Sequence, residues 1–407
     1  MRTLAWAVLA GCGLFAVQGS AQLLTPVWIE VGEDGVALAR VVAATSSDCP
    51  AINIDGSTSR MTLRTPVPPG FAPACESTIP ANARSANVNG QVLALPKADP
   101  SRIAVIGDTG CRVAHGQVQD CNDPAQWPLP RVADRVASAH PELVIHVGDY
   151  LYREIPCPAD QQALCGGTPA GDRWETWNAD FFAPASALLR AAPWALARGN
   201  HEDCGRSWRG WFYYLDPHPW SGETCQPFQP PYRIRLGSFH LVVFDTSAVT
   251  DNLPASEIAR YAAALGALHE DHAWLVSHHP FWGFKTLEGS TQPAIPGLTE
   301  AWRKASPHGI DLIVSGHVHL FELLGFDHKV PPQLVSGDGG TGLSTAIQAP
   351  LRGMHLENAK VLAGVSERQF GYTLLTKFAG HWNASLNSIE DRVLAACVIE
   401  ARAVSCH

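Results

Sequence analysis

Five short motifs carry oxygen and nitrogen donors in a fixed order along the middle of the chain: Gly107-Asp108-Thr109-Gly110, Gly148-Asp149-Tyr150-Leu151-Tyr152, Gly199-Asn200-His201-Glu202, Val276-Ser277-His278-His279 and Gly316-His317-Val318-His319. Asp108, Asp149, Tyr152, Asn200, His278, His317 and His319 are more ligands than one ion ordinarily takes from a protein, whereas two ions sharing a carboxylate would use them all. Two ions about 3.5–4 Å apart can clamp both the attacking and the leaving oxygen of an in-line phosphoryl transfer. The shared ligand has to be a carboxylate on a rigid strand end. Asp149 qualifies, because it closes the apolar run Leu143-Val144-Ile145-His146-Val147. Taken singly, an Asp after a strand is a turn former and a His is a packed or solvated side chain. The argument rests on the repetition of such motifs, each after a strand-like run. His115, His140, His146, His218 and His240 stand outside the motifs and read as structural. Gly337 to Gly342 superficially suggests a phosphate-cradling loop, but no clear helix follows it, so a tight turn beneath the site is the better reading.

The elements that must present these residues are legible in outline. Ile103-Ala104-Val105-Ile106, Leu143 to Val147, Trp194 to Arg198, Leu241 to Phe244, Trp274 to Ser277 and Leu312 to Ser315 are apolar runs that each end at or beside a residue of metal-ligand type. Such runs predict buried parallel strands, and α/β sheets place ligands at the carboxyl ends of their strands. Apolar residues at 132, 133, 136 and 137 give Arg131 to Ala139 a helical face. Alternation of strands and helices predicts an α/β sheet packed on both faces. Residues 22–100 read differently, as short strand-like runs broken by Gly, Ser and Pro, and predict a small N-terminal β-sandwich-like domain. Pro96 to Pro100 reads as a linker, residues 101–407 as the catalytic domain, Phe370 to Cys406 as closing strands, and Cys157 to Trp177 as a surface loop and candidate rim of the site.

A chain of 407 residues exceeds the roughly 250–300 residues at which single cores stop growing, which accords with two units. The formal charge of −9 gives no basic field for gripping nucleic acid, while a small anionic substrate held by metal remains compatible. Arg2, the apolar stretch Leu4 to Val17 and Gly19-Ser20-Ala21 read as a secretory signal peptide over 1–21, cut after Ala21. The rival reading, a lipoprotein signal anchored through Cys12, would leave a very short apolar region that continues past the cysteine. No other stretch reaches the roughly 18 apolar residues of a membrane span. Of 11 cysteines, Cys12 leaves with the leader and the rest fall into near neighbours: Cys49 with Cys75, Cys111 with Cys121, Cys157 with Cys165, Cys204 with Cys225, Cys397 with Cys406. Short loops close at low entropic cost, so nearest-neighbour disulfides and a secreted or periplasmic protein are expected.

The five motifs, in this order, resemble those of the calcineurin-like metallophosphoesterases, and within them the purple acid phosphatases. The resemblance covers roughly residues 103–342. Most of that superfamily has a histidine two residues after the first aspartate; here Gly110 stands there, and Tyr152 supplies a donor instead. The resemblance implies a four-layer α/β/β/α sandwich. It implies one metal, Fe(III), on Asp108, Tyr152, His319 and the shared Asp149, and a second, Fe(II), Zn(II) or Mn(II), on Asp149, Asn200, His278 and His317. It also implies in-line attack by metal-bound hydroxide on a phosphate monoester, with His201 as phosphate contact and proton donor and Asn200 close to the substrate. Counting from Val276 would select His279 as the fourth-motif ligand, whereas the histidine two residues before Pro280 is His278. The latter is preferred because the proline fixes the turn, leaving His279 as a neighbouring or substrate contact. The competing functions are a phosphodiesterase on the same metals and a non-catalytic binding protein on an inherited phosphatase fold; the full ligand set speaks against the second. The oligomeric state is left open.

Overall fold

The computed structural model describes residues 22–222, 224–327, 330–347, 350–357 and 359–406. The expected leader over 1–21, with Cys12, lies outside them. Two large sheets dominate. In the first, the parallel strands Arg102–Ile106, Leu143–His146 and Trp194–Leu196 are adjacent, with Val144 opposite Ala104 on one side and Trp194 on the other. In the second, Phe239–Val243, His269–Val276, His308–Ser315 and Gln333–Ser336 run parallel side by side. The apolar runs are buried on both faces because each faces a different layer. Ile103, Val105 and Ile145 meet Val243, Val276 and Val314 from the opposing sheet, while Ala104, Ile106 and Val144 turn outward to the helix Leu129–Ser138 through Val132, Ala133 and Val136. The far face of the second sheet is covered by Ala255–Gly266 and Pro296–Ala305. The result is the expected four-layer α/β/β/α sandwich.

The N-terminal segment is sandwich-like, but one of its layers belongs to the first sheet. Trp28–Val31, Ala37–Val42, Ala74–Ile79 and Thr62–Leu63 continue that sheet outward, starting from a parallel pairing of Glu30 with Trp194. Ser57–Arg60, Ala51–Ile54, Ala86–Val88 and Gln91–Val92 form a second, four-stranded layer. Val41, Ile52, Cys75 and Val88 fill the space between. Two buried arginines fasten this unit to the segment Trp211–Leu215 that follows the third motif. Arg40 pairs with Glu30 at 2.6 Å and donates to the carbonyls of Tyr214 and Asp216, and Arg64 donates to those of Phe212 and Tyr213. The stretch Pro96 to Pro100 is itself pinned, by Lys97 to Glu142 and by Ser238 donating to Asp99.

The strands Gly371–Phe378, His381–Ser388, Val393–Glu400 and Ala403–Cys406 close the other edge of the first sheet as an antiparallel meander. Among the described residues five disulfides form, each between nearest neighbours: Cys49–Cys75, Cys111–Cys121, Cys157–Cys165, Cys204–Cys225 and Cys397–Cys406. Among the described residues no helix is long and apolar enough to cross a membrane.

Candidate metal centre

The carboxyl ends of strands from both sheets converge, and the motif residues sit in the turns that leave them. Asp108, Asp149 and His317 have φ of 54°, 61° and 69°, a left-handed conformation that costs a non-glycine residue about 1–3 kcal/mol and persists only when its surroundings over-determine it. For Asp149 the surroundings are visible. Glu202, fully buried, accepts the backbone N–H groups of Asp149, Tyr150, Leu151 and Gly199 at 2.9–3.2 Å, so one carboxylate clamps the whole second motif to the third. Burial drives this carboxyl upward and the Asp149 charge adds to it, while the backbone donors favour its anion. Asp180 does the same one step along, accepting from Tyr152 and Arg153 N–H and from Cys111, with Arg153 as its ion partner at 2.5 Å.

The donors form two groups that meet on one atom. The Tyr152 hydroxyl lies 3.1 Å from Asp108 Oδ1, 3.1 Å from His319 Nε2 and 2.7 Å from Asp149 Oδ2. On the other side, Asn200 Oδ1 lies 2.9 Å from His278 Nε2 and 3.0 Å from His317 Nδ1, and His278 Nε2 lies 3.2 Å from the same Asp149 Oδ2. Asp149 Oδ1 is occupied elsewhere, accepting the His201 N–H at 2.8 Å.

These contacts do not balance as hydrogen bonds, and the imbalance is a test for a cation. His319 Nδ1 faces the Gly342 carbonyl at 2.9 Å and His278 Nδ1 faces the Val147 carbonyl at 2.8 Å. A carbonyl can only accept, so both protons sit on Nδ1 and both Nε2 lone pairs point into the centre. One phenolic hydrogen then serves three acceptors at Tyr152, and the His278 lone pair faces two oxygens. Without a cation only an added proton relieves this: against burial, which lowers it, the Asp149 carboxylate lifts the His278 ring to about 9. Burial and the charges of Asp149 and Asp108 likewise hold the Tyr152 phenol well above its usual range, so a phenolate here requires a strong cation beside it. The donor set therefore fits two metal ions sharing Asp149.

Gly110 has a steric reason. A Cβ at that position would lie 2.6 Å from the Tyr150 carbonyl, 2.8 Å from Tyr152 N and 3.0 Å from Tyr152 Cδ2. A histidine there and Tyr152 in its present place exclude each other.

His201 lies across the Tyr152 ring at 3.8 Å between centroids, its Nδ1 2.8 Å from Glu154 Oε1 and its Nε2 3.9 Å from Asp149 Oδ2. Glu154 is also paired with Arg206 at 3.4 Å, and against its partial burial these partners keep its carboxyl below the usual range. His278, not His279, faces Asp149 and Asn200. His279 is buried behind them, its N–H on Thr246 and its ring 4.1 Å from that of His317, and its ligand atom lies within 4.8 Å of those of His278 and His317.

Other expectations find their places too. His146 is buried in a stack on Tyr150 and bonded to Thr109, and Asp245 is spent on Arg198, Gln229 and Ser247. The turn 337–342 lies beneath the centre, with Thr341 N–H on the Asp108 carbonyl. The cavity that reaches His319 is lined by Arg112, residues 116–119 and residues 342–345. Glu202, Glu154 and Asp180 were not singled out from sequence. Only the position of Glu202, inside the third motif, gave a signal.

Residues 101–321 match the family model described as calcineurin-like phosphoesterase. Among solved structures the fold is similar to a purple acid phosphatase from yellow lupin (Lupinus luteus) seeds, with 14% identity over 92% of this chain and 74% of the other and a TM-score of 0.59. It is also similar to PhoD, with 12% identity over 96% and 92% and a TM-score of 0.55. At such identities the likeness speaks for the fold.

Proposed function

Because the chain belongs to the calcineurin-like phosphoesterase family, whose members hydrolyse phosphate esters on two metal ions, we propose that it is an exported phosphate monoester hydrolase of the acid phosphatase type. The observation that carries the reading is the sharing of Asp149 Oδ2 between the Tyr152 group and the His278 group. Asp108, Tyr152, His319 and Asp149 would hold Fe(III), since a phenolate and carboxylates are hard anionic donors. Asn200, His278, His317 and Asp149 would hold Fe(II), Zn(II) or Mn(II). When bound, the metal pair supplies Lewis acidity, bringing the pKa of water from 15.7 toward about 7 and neutralising phosphoryl oxygens.

The remaining work belongs to side chains. Glu202 holds the Asp149 turn so that its carboxylate needs no reorganisation, which is where electrostatic catalysis gains most. His201, at the mouth and 8% exposed, has Nδ1 fixed by Glu154, which leaves Nε2 toward the substrate as contact and proton donor to the departing alkoxide. His279, behind His317, positions rather than touches. Five disulfides support export, together with the leader read in the sequence.

The test is hydrolysis of p-nitrophenyl phosphate against its bis ester, run with metal analysis and a visible spectrum. Faster monoester turnover, two metals per chain and a visible band are expected. Preferential cleavage of the diester would overturn the monoesterase, and a colourless, fully active, zinc-only enzyme would overturn the iron.

A further inference from the structure

We propose that the cavity adjoining His319 is an anion subsite for the leaving group, with Arg112 as its recognition residue; the natural substrate would then be a phosphate monoester bearing a second anionic group. The inference rests on the monoesterase reading above and adds the substrate class to it.

The cavity has a volume of about 620 Å³, and Arg112, Gln117, Gln119, His319, Ser344 and Thr345 supply its polar wall. Among the described residues no carboxylate lines it, although the chain as a whole carries a formal charge of −9. His319 belongs both to its wall and to the donor set, with its Nε2 3.1 Å from the Tyr152 hydroxyl. Arg112 also lines the cavity, and its guanidinium carbon is 4.8 Å from the centroid of the Tyr152 ring.

That guanidinium is held in place without being neutralised. Nη1 donates to Gln117 Oε1 at 2.7 Å, and Nε is buried with no partner. Among the described residues no carboxylate comes within ion-pairing distance of it. Glu154, whose carboxyl it helps to lower, is itself paired with His201 and Arg206. An arginine that is positioned but unpaired, with donors free, is suited to take a carboxylate or phosphate in a charge-assisted bond.

The wall around it is rigid. Arg112 follows Cys111 of the Cys111–Cys121 disulfide, and Gln119 ties the two sides together. Its Oε1 accepts the N–H groups of Arg112 and Gly342, both at 3.1 Å, and its Nε2 donates to the Gly340 carbonyl at 2.9 Å. Ser344 is fixed in turn, its hydroxyl accepting the His319 N–H at 3.1 Å. A preformed polar wall with one uncompensated cation loses little entropy on taking up an anion.

Non-hydrolysable phosphonates separate this subsite from catalysis. Calorimetric titration of the metal-loaded protein with 4-phosphonobutyrate and butylphosphonate, which differ by a carboxylate in place of a methyl group, is expected to show about a tenfold preference for the former. Arg112→Gln is expected to bring the ratio of the two affinities close to one, and Arg112→Lys, which keeps the charge and loses the fork, to leave an intermediate ratio. A ratio near one in the unmodified protein overturns the subsite. So does a preference that survives Arg112→Gln, or a variant that weakens both ligands equally, which is what a purely structural arginine over Tyr152 would do. If the preference is present and lost as expected while p-nitrophenyl phosphate is not hydrolysed, the anion subsite stands and the monoesterase reading alone falls.

Discussion

On one side of Asp149 stand Asp108, Tyr152 and His319; on the other stand Asn200, His278 and His317. The first group offers a carboxylate and a phenol that can ionise, the second a neutral amide and two imidazoles. The backbone treats them alike, delivering each from a strand end with Nδ1 of one histidine per group locked to a carbonyl. The difference therefore lies in charge rather than in support. By donor chemistry, the Tyr152 side would favour a hard, highly charged cation and the Asn200 side a divalent ion. The comparison teaches that one preorganised frame can present two unlike donor sets by changing side-chain chemistry alone.

Removing the shared atom breaks the comparison altogether. Asp149→Ala is expected to lower kcat/KM on p-nitrophenyl phosphate by about a thousandfold or more and to empty both sites in elemental analysis, because neither group then retains its bridging oxygen. Retention of one full equivalent of each metal would contradict it. Unequal substitutions sharpen the contrast. Asn200→Ala is expected to cost about a hundredfold in rate while the visible band persists, and Tyr152→Phe to abolish the band, each metal responding to its own side. Loss of colour in Asn200→Ala would mean that the two halves are not distinct. The smallest effect falls on the group that touches neither half directly. Glu154→Gln removes the charge that aims His201, and about a tenfold loss of kcat is expected on alkyl phosphates, with much less on p-nitrophenyl phosphate, whose leaving group needs no proton. Equal losses on both substrates would argue against aiming.

The strand ends that carry this frame were legible because apolar runs stop at Asp108, Asp149, Asn200, His278 and His317, and a buried parallel strand leaves that mark in one dimension. Disulfide pairing was legible for a similar reason, since short loops dominate the entropy of closure. Glu202 and Glu154 were not, because what makes them matter is the set of N–H groups and the ring they face, which the chain assembles only on folding. Nor was the wall of the cavity beside His319, where residues 116–119 and 342–345 meet through Gln119 although far apart in sequence. The N-terminal strands were recognised as strands, but the pairing of Glu30 with Trp194 joins segments that no local pattern connects.

That pairing has a consequence for anyone who would trim the protein to its catalytic half. Trp194–Leu196, the strand that delivers Asn200 and His201, has Leu143–His146 on one side and Trp28–Val31 on the other. A chain begun after Pro100 would leave its outer hydrogen-bonding edge bare and uncover the arginine-bound carbonyls of residues 212–216. Bare edges recruit other chains. Dissection at the apparent linker is expected to yield an associating fragment, visible as rising light scattering, in place of an autonomous enzyme. The forward segment is a retaining wall rather than an annex.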